Sequence, residues 1–413
     1  MLDFFNKPSE TPSGTKRFLD FFAINKTTGI VLLTILLFGF GEELWSKFIP
    51  AYLTAKGQPI IVIGIYALAL NFFEGLCYIG GGFITQRLGD RGSLILFSIL
   101  TLVGYLLFVT LGAIPAMVII SVLLIKGWES LSQPVTLTTV GATTKTEKQG
   151  LAFALQSIQK RIPMILGPVV GGIILSVVGI ISGTIALVWV SFGLGIIALI
   201  VQWKIMPHSK KVNGVASYRQ IWGMIPGVLK NLLLAEIFTR WCLWLVREFI
   251  VIYCLTVLKI EPWLFGVLVA VEITTSLITY IPIGKATEKG NLKPYIGLTF
   301  IFFAIFPLGF LLAGITKSTI LLVLAFIIYG LREIGEPARK RMITNLMPEA
   351  VRAKAIGFYW GIRSFAFCTS SIVGALIWMK WGPEILLVIA SIVGFIGAGI
   401  FYLLVGGKRT DRP

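Results

Sequence analysis

The stretch that decides the fold starts with KGWESLSQPVTLTTVGATT (residues 126–144) and, after a polar turn, continues with LAFALQSIQKRIPMILGPVVGG (residues 151–172). Both parts are apolar segments with charged side chains inside them. The same design recurs in YGLREIGEPARKRMITNLMPEAVRAKAIGFYWGIRSFAFCTSSIVGA (residues 329–375), where Gly330 takes the place of Gly127. A repeat separated by about 200 residues predicts that the chain is a tandem duplication of a helical unit.

The composition is that of a membrane protein. Hydrophobic residues make up 56% of the chain and charged residues 13%, with a mean hydropathy of +0.89. A helix that crosses a bilayer needs about 20 apolar residues, and the chain contains about twelve runs of this kind. The start of the chain is mixed and polar, so we expect no cleavable signal peptide there.

Twelve hydrophobic segments, numbered 1 to 12, follow one another along the sequence. Segments 1–6 lie at 29–53, 60–86, 93–113, 115–140, 150–178 and 183–206, and segments 7–12 lie at 231–257, 262–286, 293–316, 318–346, 352–379 and 383–406. Polar stretches stand before, between and after the two sets, at residues 1–27, 207–229 and 407–413. We therefore predict an all-α integral membrane protein with twelve transmembrane helices, arranged as two homologous six-helix bundles at residues 28–206 and 230–406.

Lysine and arginine are concentrated in alternate loops. About 24 of the 36 lie in every second loop and at the termini, against about 4 in the opposite loops. Because positively charged loops stay in the cytoplasm, we expect both termini and the central linker on the cytoplasmic side of the plasma (inner) membrane. The loops that join segments 1–2, 3–4, 5–6, 7–8, 9–10 and 11–12 then form the predicted outer face. The net charge of +17 is thus a signal of topology, and we expect no nucleic-acid partner.

The loop after segment 2 has the sequence GGFITQRLGDRGSL (residues 81–94). It resembles the loop signature G-x-x-x-D-R-x-G-R-R of the major facilitator superfamily, with Gln86 in place of the usual Asp. The loop residues that we single out are Gly82, Arg87, Gly89, Asp90, which replaces an Arg of the signature, and Arg91. The resemblance covers essentially the whole chain and implies a twelve-helix membrane transporter. We expect this loop to act as a latch that bonds helix ends and carboxylates and holds one conformation shut.

Small residues indicate where helices pack closely. A repeat lays Gly64 on Gly266, and glycines of this kind let segments 2 and 11 approach each other. In segment 5, GPVVGG (residues 167–172) resembles the end of the glycine–proline signature of the superfamily's drug–proton antiporters, although Ala154 and Pro163 replace its upstream glycines. Close packing alone also explains this motif. The predicted packing residues are Gly167, Pro168, Gly171 and Gly172.

Charged residues inside apolar segments are costly in a bilayer, so they usually face a cavity or a partner. The resemblance implies that segments 1, 4, 7 and 10 line a central cavity, and these segments carry the densest polar and aromatic stripes. The predicted substrate and coupling residues are Glu42, Glu43, Glu74, Trp128, Glu129, Lys160, Arg161, Arg240, Trp244, Glu272, Arg332, Glu333, Tyr359 and Arg363.

Lys160 and Arg363 occupy matching positions of the repeat and have no carboxylate within one turn of the same helix. We interpret them as cavity charges that attract anionic groups. A coupling proton needs a carboxylate in the interior, and Glu42, Glu74 and Glu272 are the candidates. Their order of importance stays open at this point.

Two further pairs have the spacing of ion pairs within one helix: Glu43 with Lys47, and Arg332 with Glu336. Such pairs could hold helices together without touching a solute, or they could face the cavity. The spacing alone leaves both interpretations open.

The sequence lacks the residues that several classes of function require. The one histidine, His208, lies in the linker, the four cysteines are scattered, and no GxxxxGK[ST] phosphate loop occurs. We therefore expect no enzyme, no metal and no cofactor.

The favoured function is that of a secondary active transporter, a monomer in the lipid bilayer that moves a small solute by alternating access with a proton as coupling ion. A non-transporting receptor or scaffold of the same fold is the alternative. Symport and antiport, and multidrug efflux and organic-anion transport, stay open, because the fold serves many substrates.

Overall fold

The computed structural model describes residues 26–143, 149–205, 218–287, 292–347 and 352–406. Within these ranges the chain is helical and forms no strand. Large apolar side chains such as Val177, Leu403 and Ile320 point outward, with exposed fractions of 81%, 79% and 75%. An apolar exterior around helices is the arrangement that a bilayer requires. The fold is therefore an all-α, multi-pass membrane fold.

The helices of the first half follow the predicted segments closely. Segment 1 comprises helix Lys26–Glu43, the 3₁₀ turn Ser46–Phe48 and helix Ile49–Ala55, while segments 2 and 3 form the run Ile60–Leu111 with a bend at Gly89. Segments 4, 5 and 6 are the helices Pro115–Thr143, Gln149–Val178 and Ile180–Ile205.

The second half begins with a short helix, Tyr218–Met224, inside the predicted linker. Segment 7 is Gly227–Ile252 with a π-helical turn at Tyr253–Val257, and segments 8 and 9 are Pro262–Thr287 and Lys293–Thr316. Segment 10 is split into Thr319–Leu331 and Glu336–Leu346, segment 11 into Arg352–Phe367 and Ser370–Trp381, and segment 12 is Pro383–Phe401 with the turn Tyr402–Gly406.

Nine of the described helices are long and apolar enough to cross a membrane, and they correspond to segments 2, 3, 4, 5, 6, 8, 9, 11 and 12. Segments 1 and 7 are missing from this set because charged residues recur in them, and segment 10 is missing because it is divided into helices of 13 and 11 residues. All three belong to the group expected to line the cavity. Among the described helices, the segments that do not meet this criterion are thus ones expected at the centre.

The sequence predicts segment 10 as one continuous helix, and the structure corrects this. The backbone N–H of Gly335 donates to Thr299 Oγ1 of segment 9 at 2.7 Å instead of to its own helix. A Cβ added at Gly335 would lie 2.1 Å from the carbonyl oxygen of Tyr295, so only glycine permits this approach. Pro337 then stands in the first turn of the next helix, where its missing N–H is harmless.

Segment 1 is interrupted as well, directly after Glu43. The break lies against segment 5, where a Cβ added at Gly171 would come 1.8 Å from the carbonyl oxygen of Leu44. The small residues of segment 5 therefore make room for the irregular backbone of segment 1. The predicted segment 1 extends through the break, because its apolar residues resume directly after Lys47.

The two sets of six segments meet along two seams, segment 5 against segment 8 and segment 2 against segment 11. A Cβ at Gly266 would lie 2.1 Å from the carbonyl oxygen of Pro168, and one at Gly64 would lie 2.7 Å from Cβ of Ala375. The expected close approach of segments 2 and 11 through glycine is thus observed. Both contacts lie near the predicted outer face, so the two sets touch each other at that end.

Candidate functional site

A cavity of about 250 Å³ lies between the two sets of helices, and we call it the central cavity. Segments 1, 4, 7 and 10 line it as expected, and segments 2, 5 and 8 contribute as well. The predicted residues that line it are Glu42, Glu74, Glu129, Arg240, Trp244, Glu272, Arg332 and Glu333. A concave space with a few converging polar groups is where a solute is expected to bind.

A smaller pocket of about 80 Å³, the side pocket, lies between segments 1, 3, 4 and 5. The predicted residues that line it are Glu42, Glu43, Trp128, Glu129 and Lys160. Trp128 is held firmly, because its ring stacks on Phe38 at a centroid distance of 4.6 Å and its Nε1 donates to Ser98 Oγ at 3.2 Å. The side pocket therefore has a fixed aromatic wall beside its carboxylates.

Glu42 and Glu43 are adjacent in sequence and have different surroundings. Glu42 Oε1 lies 2.7 Å from Nζ of Lys126 on segment 4. One carboxylate oxygen of Glu43 is buried without a hydrogen-bond partner among the described residues, and Glu43 forms no ion pair with Lys47. The spacing of four residues would allow an ion pair between Glu43 and Lys47, but the two side chains do not form one.

In the second half, Glu272 and Arg332 form a buried ion pair between segments 8 and 10. Arg332 Nη1 donates to Glu272 Oε1 at 2.8 Å, and both side chains are about 10% exposed. The guanidinium of Arg332 also lies over the ring of Tyr329, 3.7 Å from its centroid. Arg332 does not pair with Glu336, which instead accepts hydrogen bonds from Arg339 at 2.6 and 2.8 Å.

Tyr359 and Arg363 were predicted to face the cavity but, like Arg161, lie outside the linings of both cavities. They belong with Glu236 of segment 7, which is 1% exposed. Glu236 accepts a hydrogen bond from Arg339 Nη1 at 2.7 Å and lies 3.5 Å from Arg363 Nη1. We call Glu236, Glu336, Arg339 and Arg363 the buried ion cluster.

Lys160 and Arg363 have no carboxylate within one turn of the same helix, as the sequence shows, but each has one on a neighbouring helix. Lys160 Nζ lies 3.3 Å from Glu129 Oε1 on segment 4, and Arg363 Nη1 lies 3.5 Å from Glu236 Oε2 on segment 7. Spacing along a helix predicts ion pairs only within that helix, so it did not predict these pairs between helices.

Arg161 joins the two sets of helices. From segment 5 its guanidinium donates to Glu333 Oε2 of segment 10 at 2.9 Å, and to Tyr280 OH and Ser276 Oγ of segment 8 at 2.6 and 2.5 Å. The hydroxyl of Tyr280 donates in turn to Glu333 Oε2 at 2.9 Å. One arginine thus ties three helices together across the seam, far along segment 5 from the predicted outer face.

Two basic residues that line the central cavity have no carboxylate within 4 Å among the described residues, namely Lys47 of segment 1 and Arg240 of segment 7. The guanidinium of Arg240 lies over the ring of Phe303, 5.2 Å from its centroid. Trp244, one turn further on, stacks on Phe367 at 5.5 Å with an interplanar angle of 10°. The central cavity therefore combines unpaired positive charge with a fixed aromatic surface.

The latch loop turns at Gly89, whose φ of 72° is a conformation that glycine adopts at little cost. Arg91 Nη2 donates to the carbonyl oxygen of Trp203 at the end of segment 6, where the helix dipole favours a cation. This contact stays within the first half of the chain. Arg87 is exposed, and the surroundings of Gly82 and Asp90 lie outside the described side chains.

The glycine–proline stretch of segment 5 touches two neighbours. A Cβ at Gly167 would lie 2.8 Å from the backbone of Glu43, and one at Gly172 would lie 2.5 Å from the carbonyl oxygen of Pro262. The first contact is with the break in segment 1, and the second is with the start of segment 8. The structure thus places the predicted packing residues at both a contact within the first half and a contact between the halves.

A bundle of membrane-spanning helices with a charged cavity between two halves defines the class of membrane transporters. The chain matches the Major Facilitator Superfamily over residues 31–332 and belongs to this family. Membership in a transporter family agrees with the expectation of a transporter rather than an enzyme.

Solved transporters share the fold. The nucleoside transporter NupG superposes with a TM-score of 0.71 at 15% identity, over 93% of this chain and all of that chain. The peptide transporter POT, in complex with sulfate, gives 0.72 at 15% identity over 92% and 94% of the two chains, and the human organic anion transporter MFSD10 gives 0.64 at 14% over 91% and 98%. Identities this low show a common fold alone.

One curated relative is an uncharacterized MFS-type transporter of Methanocaldococcus jannaschii. It is 27% identical over 126 residues, and the match spans 30% of this chain and 30% of the relative. The chain thus matches less than a third of the length of that relative.

Proposed function

We propose that the protein is a secondary active transporter that moves a small organic anion across the plasma (inner) membrane by alternating access, with both termini in the cytoplasm. The observation that carries the proposal is the pair of cavity residues Lys47 and Arg240, basic side chains without a carboxylate within 4 Å among the described residues. Arginine suits the bidentate binding of carboxylate or phosphate. The two residues come from opposite halves, so an anion bound to both would link the halves.

Two layers of contact between the halves support alternating access. Near the predicted outer face the halves touch at Gly266 with Pro168 and at Gly64 with Ala375. Further along the seam they are joined by Arg161 and Glu333, 2.9 Å apart. The central cavity is lined by residues from both halves, and we propose that these two layers open in turn to expose it to either side.

Arg240→Ala should weaken anion binding by about ten- to a hundredfold, because a hydrogen bond to a charged group contributes about 1.5–3 kcal/mol. The measurement is a thermal-shift titration of the detergent-purified protein with propionate, succinate and hexanoate, followed by uptake into proteoliposomes. A ligand at about 100 times its Kd stabilises the folded protein by about 2.7 kcal/mol.

Arg219→Ala, an exposed arginine of helix Tyr218–Met224, is the control and should bind anions as the unchanged protein does. Stabilisation by the lipophilic cation tetraphenylphosphonium, with no response to any anion, would replace anion transport by multidrug efflux. Binding of anions without any flux would favour a receptor of the same fold.

We further infer that Glu42 carries a coupling proton. Its carboxylate lines both the central cavity and the side pocket and lies 2.7 Å from Lys126 Nζ. Protonation would cancel an ion pair that faces the solute, so proton binding and solute binding would affect each other. Glu272, by contrast, is enclosed in its pair with Arg332.

Glu42→Gln should therefore remove the dependence of uptake on an imposed pH gradient, while exchange of solute between compartments at equal pH continues. Uptake of radiolabelled solute into proteoliposomes, with and without the gradient, measures both. Glu74→Gln and Glu272→Gln are the comparison variants. If one of them loses gradient dependence and Glu42→Gln keeps it, the proton is carried elsewhere.

A further inference from the structure

The central cavity also holds buried neutral polar groups that take no part in the ion pairs. Asn71 of segment 2 is 0% exposed and lines the cavity, and neither its Oδ1 nor its Nδ2 has a hydrogen-bond partner among the described residues. The hydroxyl of Tyr66, on the same helix, is 0% exposed and equally without a partner, and so is the Oγ of Ser46, which is 4% exposed. All three residues line the same cavity.

Such groups are unusual in a folded protein. About nine in ten buried polar groups have a hydrogen-bond partner, and each one left without a partner is destabilising. Three of them around one cavity are therefore difficult to explain by helix packing. They are explained if a bound solute completes their hydrogen bonds.

The types of side chain define the chemistry of that solute. An amide provides two donors and two acceptor sites, and each hydroxyl provides one donor and two acceptor sites. None of the three carries a charge, so they match neutral groups that both donate and accept, and the hydroxyl group is the simplest of these. Ser46 stands beside Lys47, so the polar groups and one of the unpaired cations lie next to each other in the chain.

We propose that Ser46, Tyr66 and Asn71 form a hydrogen-bonding subsite that selects hydroxylated organic anions over anions of the same charge and chain length without hydroxyl groups. The inference rests on the proposed function, because it specifies which anions the central cavity accepts. The anionic group binds the basic residues, and the hydroxyl groups bind the subsite on segments 1 and 2. A site that bonds a substrate hydroxyl rejects the analogue without it, since its own polar groups are then left unpaired.

The test uses three matched pairs of anions: lactate with propionate, malate with succinate, and gluconate with hexanoate. Each is titrated against the full-length protein in detergent by thermal shift, and the same anions compete for uptake in proteoliposomes. In the unchanged protein at least one hydroxylated anion should bind about tenfold or more tightly than its partner. In Asn71→Leu and in Tyr66→Phe the preference should fall to about twofold or less, while the affinity for the other member of the pair is kept.

A second readout separates this role from a structural one. Leucine is close to asparagine in size and leaves no polar atom unpaired, so the melting temperature of Asn71→Leu without ligand should rise. A structural asparagine would give a lower melting temperature on the same substitution. Asn345→Leu, at an exposed position of segment 10, is the control and should change neither quantity.

The outcomes separate the subsite from the proposed function. Equal binding within all three pairs, or a preference that survives in both variants, overturns the subsite and leaves anion transport standing. If sorbitol, a neutral polyol, binds through Asn71 and no anion binds, the subsite stands and anion transport is overturned. If neither sorbitol nor any anion binds, both proposals fail.

Discussion

Replacing Arg339 by methionine should lower the free energy of unfolding by about 3–5 kcal/mol, because it leaves buried carboxylates without their partner. Arg339 donates to Glu236 at 2.7 Å and to both carboxylate oxygens of Glu336, at 2.6 and 2.8 Å. Its side chain is 4% exposed and that of Glu236 is 1% exposed, so water can replace little of what is lost. Thermal and denaturant unfolding of the purified protein in detergent measure the effect.

A double substitution tests whether the loss of stability comes from the unpaired carboxylate. Removing both charges, in Arg339→Met combined with Glu236→Met, should recover part of the lost stability, since a buried ion pair replaced by apolar groups is often close to neutral. Recovery stays incomplete because Arg363, 3.5 Å from Glu236, then loses its own partner. Arg219→Met, at an exposed position, is the matched control. A loss below about 1 kcal/mol in the single variant would show that the buried ion cluster is solvated.

Gly266→Val should reduce transport by about tenfold or more. This loss corresponds to a destabilisation of ~1.4 kcal/mol or more of the state in which the outer face is closed. A Cβ at this position would lie 2.1 Å from the carbonyl oxygen of Pro168, in the other half of the chain. The clash therefore opposes closure of the two halves and leaves the interior of each half unchanged. Radiolabelled uptake into proteoliposomes measures the loss.

The state of the outer face can be followed separately. Ser130→Cys places a thiol in the central cavity, and a membrane-impermeant reagent should label it faster from the outer side when Gly266→Val is also present. Gly193→Val serves as control, because a Cβ there meets nothing within 4 Å. Gly171→Val should behave differently, with less folded protein, since its clash is with Leu44 inside the first half. Unchanged labelling and transport in Gly266→Val would contradict the proposed closure.

The architecture could be predicted because it depends on quantities that sequence carries directly. Apolar runs of sufficient length predict the spans, and the repeat that lays Gly127 on Gly330 predicts the duplication. The expectation that small residues bring segments 2 and 11 together also agrees with the structure, in the contact of Gly64 with Ala375. These properties are local or periodic, so no knowledge of tertiary packing is needed.

The pairing of charges could be predicted only in part. Glu272 stands alone in its segment and pairs with Arg332 from a different helix, and Glu236 binds Arg339 and Arg363 from two others. Such partners are set by how the helices rotate and pack, which the spacing along one helix does not contain. The breaks in segments 1 and 10 escaped prediction for a related reason, because the backbone contacts that stabilise them come from segments 5 and 9.

The hydrogen-bonding subsite could also be predicted only in part. Asn71 lies on a polar stripe of segment 2 together with Glu74, so its position toward the cavity could be expected from sequence. The absence of a partner for its amide among the described residues is visible only in three dimensions. The sequence does not single out Tyr66 as a binding residue, because a lone tyrosine in an apolar segment is common.

The buried ion cluster also has a consequence for how the chain enters the membrane during synthesis. Segment 7 carries Glu236, whose partners Arg339 and Arg363 are 103 and 127 residues further along the chain. Each uncompensated charge raises the free energy of inserting a helix by about 2.5–3.5 kcal/mol at the bilayer centre. We therefore expect segment 7 to reach its final depth only after segments 10 and 11 have left the ribosome. The second half of the protein is then expected to assemble cooperatively and late.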